Sequence, residues 1–145
     1  MKLPNRFRSV SSNPGMIDDR LDAQASHVML QAALEAYRLN HSYLGTEHVL
    51  LGLVSEDAAR SQRLPDVDLH LARAAVEREL RRGHAPSFGL RLPPTGRLKA
   101  MIELAAAIAH ERSTTSIAPT DLWDALFAQS NSCGTKIARA LKSDR

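Results

Sequence analysis

Three groups of residues in this chain have types that could do chemistry. His41, Glu47 and His48 carry metal-ligating atoms. A zinc site takes three or four converging ligands, and Glu47-His48 lacks the His-Glu-x-x-His spacing that puts two imidazoles on one helix face. The pattern argues against a metal, and no cofactor is expected. Cys133 is the single cysteine. It excludes a disulfide within the chain, and Ser132-Cys133-Gly134 offers no local cation or base to activate a thiolate. No Gly-x-x-x-x-Gly-Lys-Ser/Thr stretch is present to cradle nucleotide phosphates. No catalytic residue is expected, and the chain reads as non-enzymatic.

The third group is basic. Arg73, Arg78, Arg81 and Arg82 share a helical stretch, but Glu77 and Glu79 interrupt them, and Arg91, Arg97 and Lys99 are scattered beyond. No aromatics are interleaved to stack on bases. The net charge of +3 fits a solvated mixed-charge surface, and nucleic acid is not the expected partner. A small helical DNA-binding regulator stands as the alternative reading; steep salt dependence of duplex binding would separate it.

The polar residues that remain interesting sit at helix starts, so the elements must be drawn next. At 145 residues the chain suits one domain, and its abundant Ala and Leu with 4% aromatics favour close-packed helices. Leu21, Ala25, Val28, Met29, Ala32, Ala36 and Leu39 form one helical stripe, with Asp22 placed to open the helix. Asn40 and Gly45 tolerate left-handed backbone and suit a stop and a turn. Thr46 is positioned to cap a second helix through about Val54, with Val49, Leu50 and Leu53 inward and Glu47 favoured in its first turn. A short polar helix follows from Ser55 to Leu64. A fourth runs from about Asp68, with Leu71, Ala75 and Leu80 inward, to the stop signal Arg81-Arg82-Gly83.

Residues 84–94 read as a linker of Gly, Pro and Ser. The chain then repeats itself with a shift of 73 residues, placing Ala32 on Ala105, Ala36 on Ala109 and Leu53 on Leu126. Thr95 caps the new first helix. Ile117-Ala118-Pro119-Thr120-Asp121 stands where Leu44-Gly45-Thr46-Glu47-His48 stood, with Pro119 suited to a first helical position. A third helix runs from about Gly134 to Leu141. The result is an all-α pair of pseudo-twofold helical repeats.

Tyr43-Leu44-Gly45-Thr46-Glu47-His48-Val49-Leu50-Leu51-Gly52-Leu53, preceded by an Ala-rich helix ending Arg38-Leu39-Asn40-His41, resembles the first repeat of the Clp N-terminal (Clp repeat) domain. That domain stands at the front of Clp-type AAA+ protein unfoldases. The resemblance spans roughly Leu21 to Leu141, specific in the first repeat and degenerate in the second. It implies a receptor module without the motor, a chaperone-related protein acting as adaptor, regulator or decoy in Clp-type ATP-dependent proteolysis. The implied partner is a protein or peptide, whether a Clp unfoldase, an adaptor or a protease substrate.

The resemblance also implies a site. In the family, the start of the first helix in each repeat lies beside the Gly-Thr-Glu joint of that repeat. Substrates, adaptors and some cyclic peptide antibiotics dock there, and in some members a Thr and the joint Glu receive phosphorylated arginine. Carried over, the first repeat pairs Asp22 with Glu47 and the second pairs Thr95 with Thr120. Each keeps half of the family pattern: Asp22 would repel a phosphate, and Thr120 offers a guanidinium no charge. Leu21 and Pro94 replace the aromatic that often precedes the Thr. A partner or unfolded segment is expected to dock near Asp22, Glu47, Thr95 and Thr120.

The expected organisation is a flexible N-terminal arm at 1–18 and a domain at 19–145, with repeat one at 21–83 and a truncated repeat two at 95–145. The missing counterpart of the fourth helix should expose apolar surface on the second repeat, to be covered by the arm, a second protomer in a homodimer, or another protein. With no signal peptide and no membrane-length apolar run, the expectation is a cytoplasmic protein.

Overall fold

The computed structural model describes residues 18–56, 63–80 and 92–143. Six helices lie among them: α1 (Ala23–Arg38), α2 (Thr46–Ser55), α3 (Leu69–Glu79), α4 (Gly96–Glu111), α5 (Pro119–Ala128) and α6 (Cys133–Ser143). The described residues form no strand longer than an isolated bridge. The proposed arm, apart from Asp18, lies outside the described residues, as do most of the polar helix and residues 84–91 of the linker.

α1 forms where the stripe places it. Asp22 is its N-cap, accepting the Ala25 N–H at 2.8 Å, and all seven stripe residues are buried. The helix stops at Leu39, and Asn40 takes φ of 59°. The reversal is sealed by His41 N–H donating to the Ala36 carbonyl, a pattern that satisfies carbonyls left over at a helix end. Seventy-three residues later α4 does the same. Thr95 caps Leu98 N–H at 3.1 Å, Ser113 takes φ of 62°, and Thr114 N–H donates to Ala109. The internal repeat is therefore a repeat of backbone geometry.

α2 is the centre of the molecule. Every residue from Thr46 to Val54 is buried, more than the three inward positions expected from periodicity. The reason is packing: among the described residues α2 touches each of the five other helices, and a helix apolar on every side belongs inside. Gly52 lets α1 lie directly on it, because a Cβ there would run into the Val28 carbonyl oxygen. Gly45 is not left-handed as anticipated. Its φ is −119°, and its missing Cβ instead makes room for the Glu47 carboxylate, whose Oε1 would lie 2.5 Å from any Cβ.

Two further expectations change. On α3, Asp68 caps Leu71 N–H, but the Leu71 side chain is 49% exposed; Ala72, Ala75 and Val76 face inward. The second repeat does not carry the apolar exposure expected of it. Among the described residues the exposed large apolar side chains are Leu30, Leu34 and Leu71, all in the first repeat. α6 explains this, for it crosses the repeat boundary and packs on α2 and α3 as well as α5. Its Ile137, Ala138 and Leu141 are thereby buried.

Candidate functional site

The helix starts and the joints do meet, but across the repeats rather than within them. Asp22 N–H donates to the Ile117 carbonyl at 2.8 Å, and Ile117 N–H donates to Arg20 at 2.7 Å. In mirror fashion, Thr95 N–H donates to the Leu44 carbonyl at 2.9 Å and Leu44 N–H to Pro93 at 2.9 Å. These are the bridges Leu21 to Ile117 and Leu44 to Pro94. The within-repeat pairing of Asp22 with Glu47 and of Thr95 with Thr120 is thus overturned. One face joins the Thr95 helix start to the Glu47 joint; the other joins the Asp22 helix start to the Thr120 joint. Consecutive segments of one repeat cannot fold back to cover their own helix start, whereas the twofold brings the other repeat's joint there.

The first face sets a hydroxyl and a carboxylate on neighbouring segments. Thr95 is half-buried and its hydroxyl oxygen caps α4. Glu47 is almost fully buried. Its carboxylate folds back over Gly45 and takes the Tyr43 hydroxyl, and with burial leading, that company holds the phenol above its ordinary range. Thr46 does not cap its own helix. Its hydroxyl oxygen accepts the Gly134 N–H at 2.9 Å, so the joint of the first repeat caps the start of α6. The neighbouring Cys133 thiol is pushed up to about 11 by burial and then by the Glu47 charge. It stays protonated near neutral pH, which works against a nucleophilic role.

Beneath this joint lies a pair that sequence spacing did not bring together. His48 Nδ1 accepts the Gly45 N–H at 2.9 Å, so the His48 proton sits on Nε2 and is donated to His41 Nδ1 at 2.8 Å. Tyr43 stacks on His41 with ring centroids 5.1 Å apart. Burial, then the electrostatic cost of a second charge beside the His41 ring, pulls the His48 pKa down to about 3. The two imidazole nitrogens face each other through a proton, which leaves no room for a metal between them. No group of three or more metal-ligating side chains forms among the described residues.

The second face is built with charge instead. Asp22 and Thr120 are half-buried there. Pro119 is the first residue of α5, as its ring suits. Asp121 accepts the Ala118 N–H at 2.9 Å and pairs with Arg112 at 2.6 Å. Asp124 takes both Arg112 and Arg63, tying the first repeat to the second. The candidate basic stripe is not a free one. Arg73 pairs with the buried Glu35 at 2.6 Å, and Arg78 stands exposed between Glu77 and Glu79. Arg81, Arg82 and Arg91 lie outside the described residues.

The described residues form a two-repeat helical module whose helix starts meet the joints across the twofold. The chain belongs to the Clp repeat (R) N-terminal domain family, which matches residues 20–142. It is 33% identical over 131 residues to a probable ATP-dependent Clp protease ATP-binding subunit of Chlamydia pneumoniae, covering 87% of this chain and 15% of that protein. It is 29% identical over 142 residues to the chloroplastic chaperone protein ClpC of Pisum sativum, covering 96% of this chain and 15% of that one. The chain therefore spans about one seventh of the length of these relatives. In fold it is similar to the N-terminal domain of the Clp-associated chaperone ClpD of Arabidopsis thaliana, with a TM-score of 0.71, 21% identity, and coverage of 90% and 94% of the two chains. No described helix is long and apolar enough to cross a membrane.

Proposed function

We propose that this protein binds a protein or peptide partner on its helix-start and joint faces, as an accessory to Clp-type ATP-dependent proteolysis. The observation that carries this reading is the crossed pairing. It sets Thr95 against the joint that holds Glu47 and Asp22 against the joint that holds Thr120, giving two related but unequal faces. At the Thr95 face, helix-start N–H groups and a hydroxyl suit an anionic or hydrogen-bond-accepting group of the partner. The Glu47 carboxylate is turned inward, so a cationic group would reach it only by displacing the Tyr43 hydroxyl. At the Asp22 face, the carboxylate disfavours an anion, and a peptide N–H or a cation fits better.

The role near a Clp machine is supported by the family and by relatives named as a Clp chaperone and a probable Clp protease ATP-binding subunit. Adaptor, regulator and decoy differ in whether the partner is a Clp motor or its substrate. The test is a pull-down from native-source lysate, read by mass spectrometry, with wild type, Thr95→Asn and Glu47→Gln. Asn keeps the helix cap, so loss of captured Clp subunits or substrates in the Thr95 variant reports docking rather than stability. Capture of no Clp component by the wild type would remove the proteolysis role and leave the fold assignment standing.

A further inference from the structure

A shallow cleft crosses the repeat boundary between α3 and α6. It has a volume of 240 Å³ and is lined by Ala75, Arg78 and Glu79 from one repeat and by Lys136, Ile137 and Ala140 from the other. Ala75 and Ile137 are buried and close its floor, while Arg78, Glu79, Lys136 and Ala140 are exposed around it. Alanine on both helices leaves unfilled what a longer side chain would occupy. The cleft opens beside the Thr95–Glu47 face. Thr46, in that joint, accepts the Gly134 N–H at 2.9 Å, and a Cβ on Gly134 would run into the Thr46 carbonyl oxygen. Lys136 follows two residues later. The first turn of α6 thus touches the joint at one end and walls the cleft at the other.

The uncommitted positive charge of the described surface collects along this route. Arg20, Arg38, Arg63, Arg73 and Arg112 are ion-paired. Arg139 donates to the Phe127 carbonyl, and the Lys142 ammonium stands over the Phe127 ring. Among the described residues that leaves Arg78 and Lys136 in the cleft, and Arg97 and Lys99 at the start of α4 beside Thr95, all of them exposed. α3 shows the division within one helix. Its Arg73 and Glu77 are held by Glu35 and Arg38 of α1, while Arg78 lies on the edge that borders the cleft.

Charge selects the occupant. A guanidinium and an ammonium flanking one space suit a carboxylate, through charge-assisted hydrogen bonds from both sides. Glu79 shares the cleft and opposes a second anion there. A nucleic-acid backbone carries charge at every step and meets that carboxylate, whereas a polypeptide places its acids singly. We propose that this cleft receives one aspartate or glutamate side chain of the polypeptide bound at the Thr95–Glu47 face, its carboxylate between Arg78 and Lys136 and its methylene stem against Ala140. The partner is then an acidic segment, with Arg97 and Lys99 favouring the same sign of charge at the helix start. The claim deepens the peptide-binding reading and rests on it for the source of the acid.

The probe is N-acetyl-Ala-Glu-Ala-amide, followed by backbone amide shifts in heteronuclear NMR at low salt, with N-acetyl-Ala-Gln-Ala-amide as control. Saturable shifts at Arg78, Lys136 and Ala140 are expected, with the glutamine peptide at least about tenfold weaker. An Arg78→Gln, Lys136→Gln double variant should weaken binding by at least about tenfold. An Arg139→Gln, Lys142→Gln double variant removes as much charge elsewhere on α6 and should bind as wild type does. Thr95→Asn should also bind the probe normally, so failure at the docking face and failure at this cleft are read separately. Absence of saturable shifts, equal binding of the glutamine peptide, equal weakening by the two double variants, or loss on Thr95→Asn would each overturn the proposal. A single-stranded oligothymidylate that saturates the same amides more tightly than the glutamate peptide would overturn it in favour of a nucleic acid.

Discussion

His48 and Asp121 hold the same place, 73 residues apart. Each is the third residue of its helix, and each accepts the N–H of the residue before that helix, from Gly45 and Ala118 at 2.9 Å. An acceptor at this position satisfies a donor that a helix start otherwise leaves bare. One repeat meets the need with a neutral imidazole and the other with a carboxylate answered by Arg112. The substitution separates the two joints in their response to acid.

His48 is neutral in the fold with its pKa lowered from 6.5 to about 3. The unfolded chain binds the proton at its ordinary value, so the folded state binds fewer protons below it. Stability is fully present above pH 6.5 and is lost progressively as the pH falls from there toward 3. Urea unfolding at about pH 7.5 and about pH 5 should show the loss, and His48→Gln, which accepts at the same position without titrating, should flatten it. Equal slopes for wild type and variant would remove His48 as the cause.

Gly52→Ala should destabilise by about 2 kcal/mol, since the new methyl meets the Val28 backbone and no side chain can yield. The twin position is Ala125, where a Cβ is already buried without exposure. Ala125→Gly should cost about 1 kcal/mol through helix propensity, with further loss from the methyl contacts. Chemical denaturation of both variants checks whether the two helix crossings differ as described.

Thr46→Val removes the acceptor for Gly134 N–H in a place that is 2% exposed. A loss of about 1–2 kcal/mol is expected. Hydrogen exchange should localise the effect to the first turn of α6 rather than to α2. Faster exchange confined to α2 would contradict the cross-repeat cap.

Asp22→Ala should cost about 1 kcal/mol by uncapping α1, and Asp22→Asn only a few tenths, because Asn caps as well as Asp. Partner capture that falls with Asn as well as Ala would place the charge of Asp22 in docking. Capture that tracks stability alone would leave it as a helix start only.

The helices themselves were legible because their signals are local. Asp22, Thr95, Asn40 and Pro119 each act on backbone within one turn, and each does in the structure what its type and position require. The α1 stripe was equally plain, since seven apolar residues at helical spacing need only a neighbour to bury them. Reading failed where a residue's partner lies far along the chain. Thr46 looked like a cap for its own helix and caps α6 instead, and Leu71 looked inward but faces out because α3 packs through its alanines. The His41–His48 pair had a faint signal: both repeats place an acceptor third in the helix.

The sequence alone determined the helical class, the 73-residue repeat and the family resemblance, because propensity, capping and periodicity are properties of neighbouring residues. Only the tertiary structure decided which joint meets which helix start. Asp22 beside Ile117 and Thr95 beside Leu44 are contacts across the repeats: each 16-residue first helix holds its own start and joint at opposite ends, and local capping and periodicity do not name the distant segment that comes to the start. The twofold packing around α2 makes the choice, burying that helix against the five other described helices. It thereby sets Thr95 and the Glu47 joint on one face.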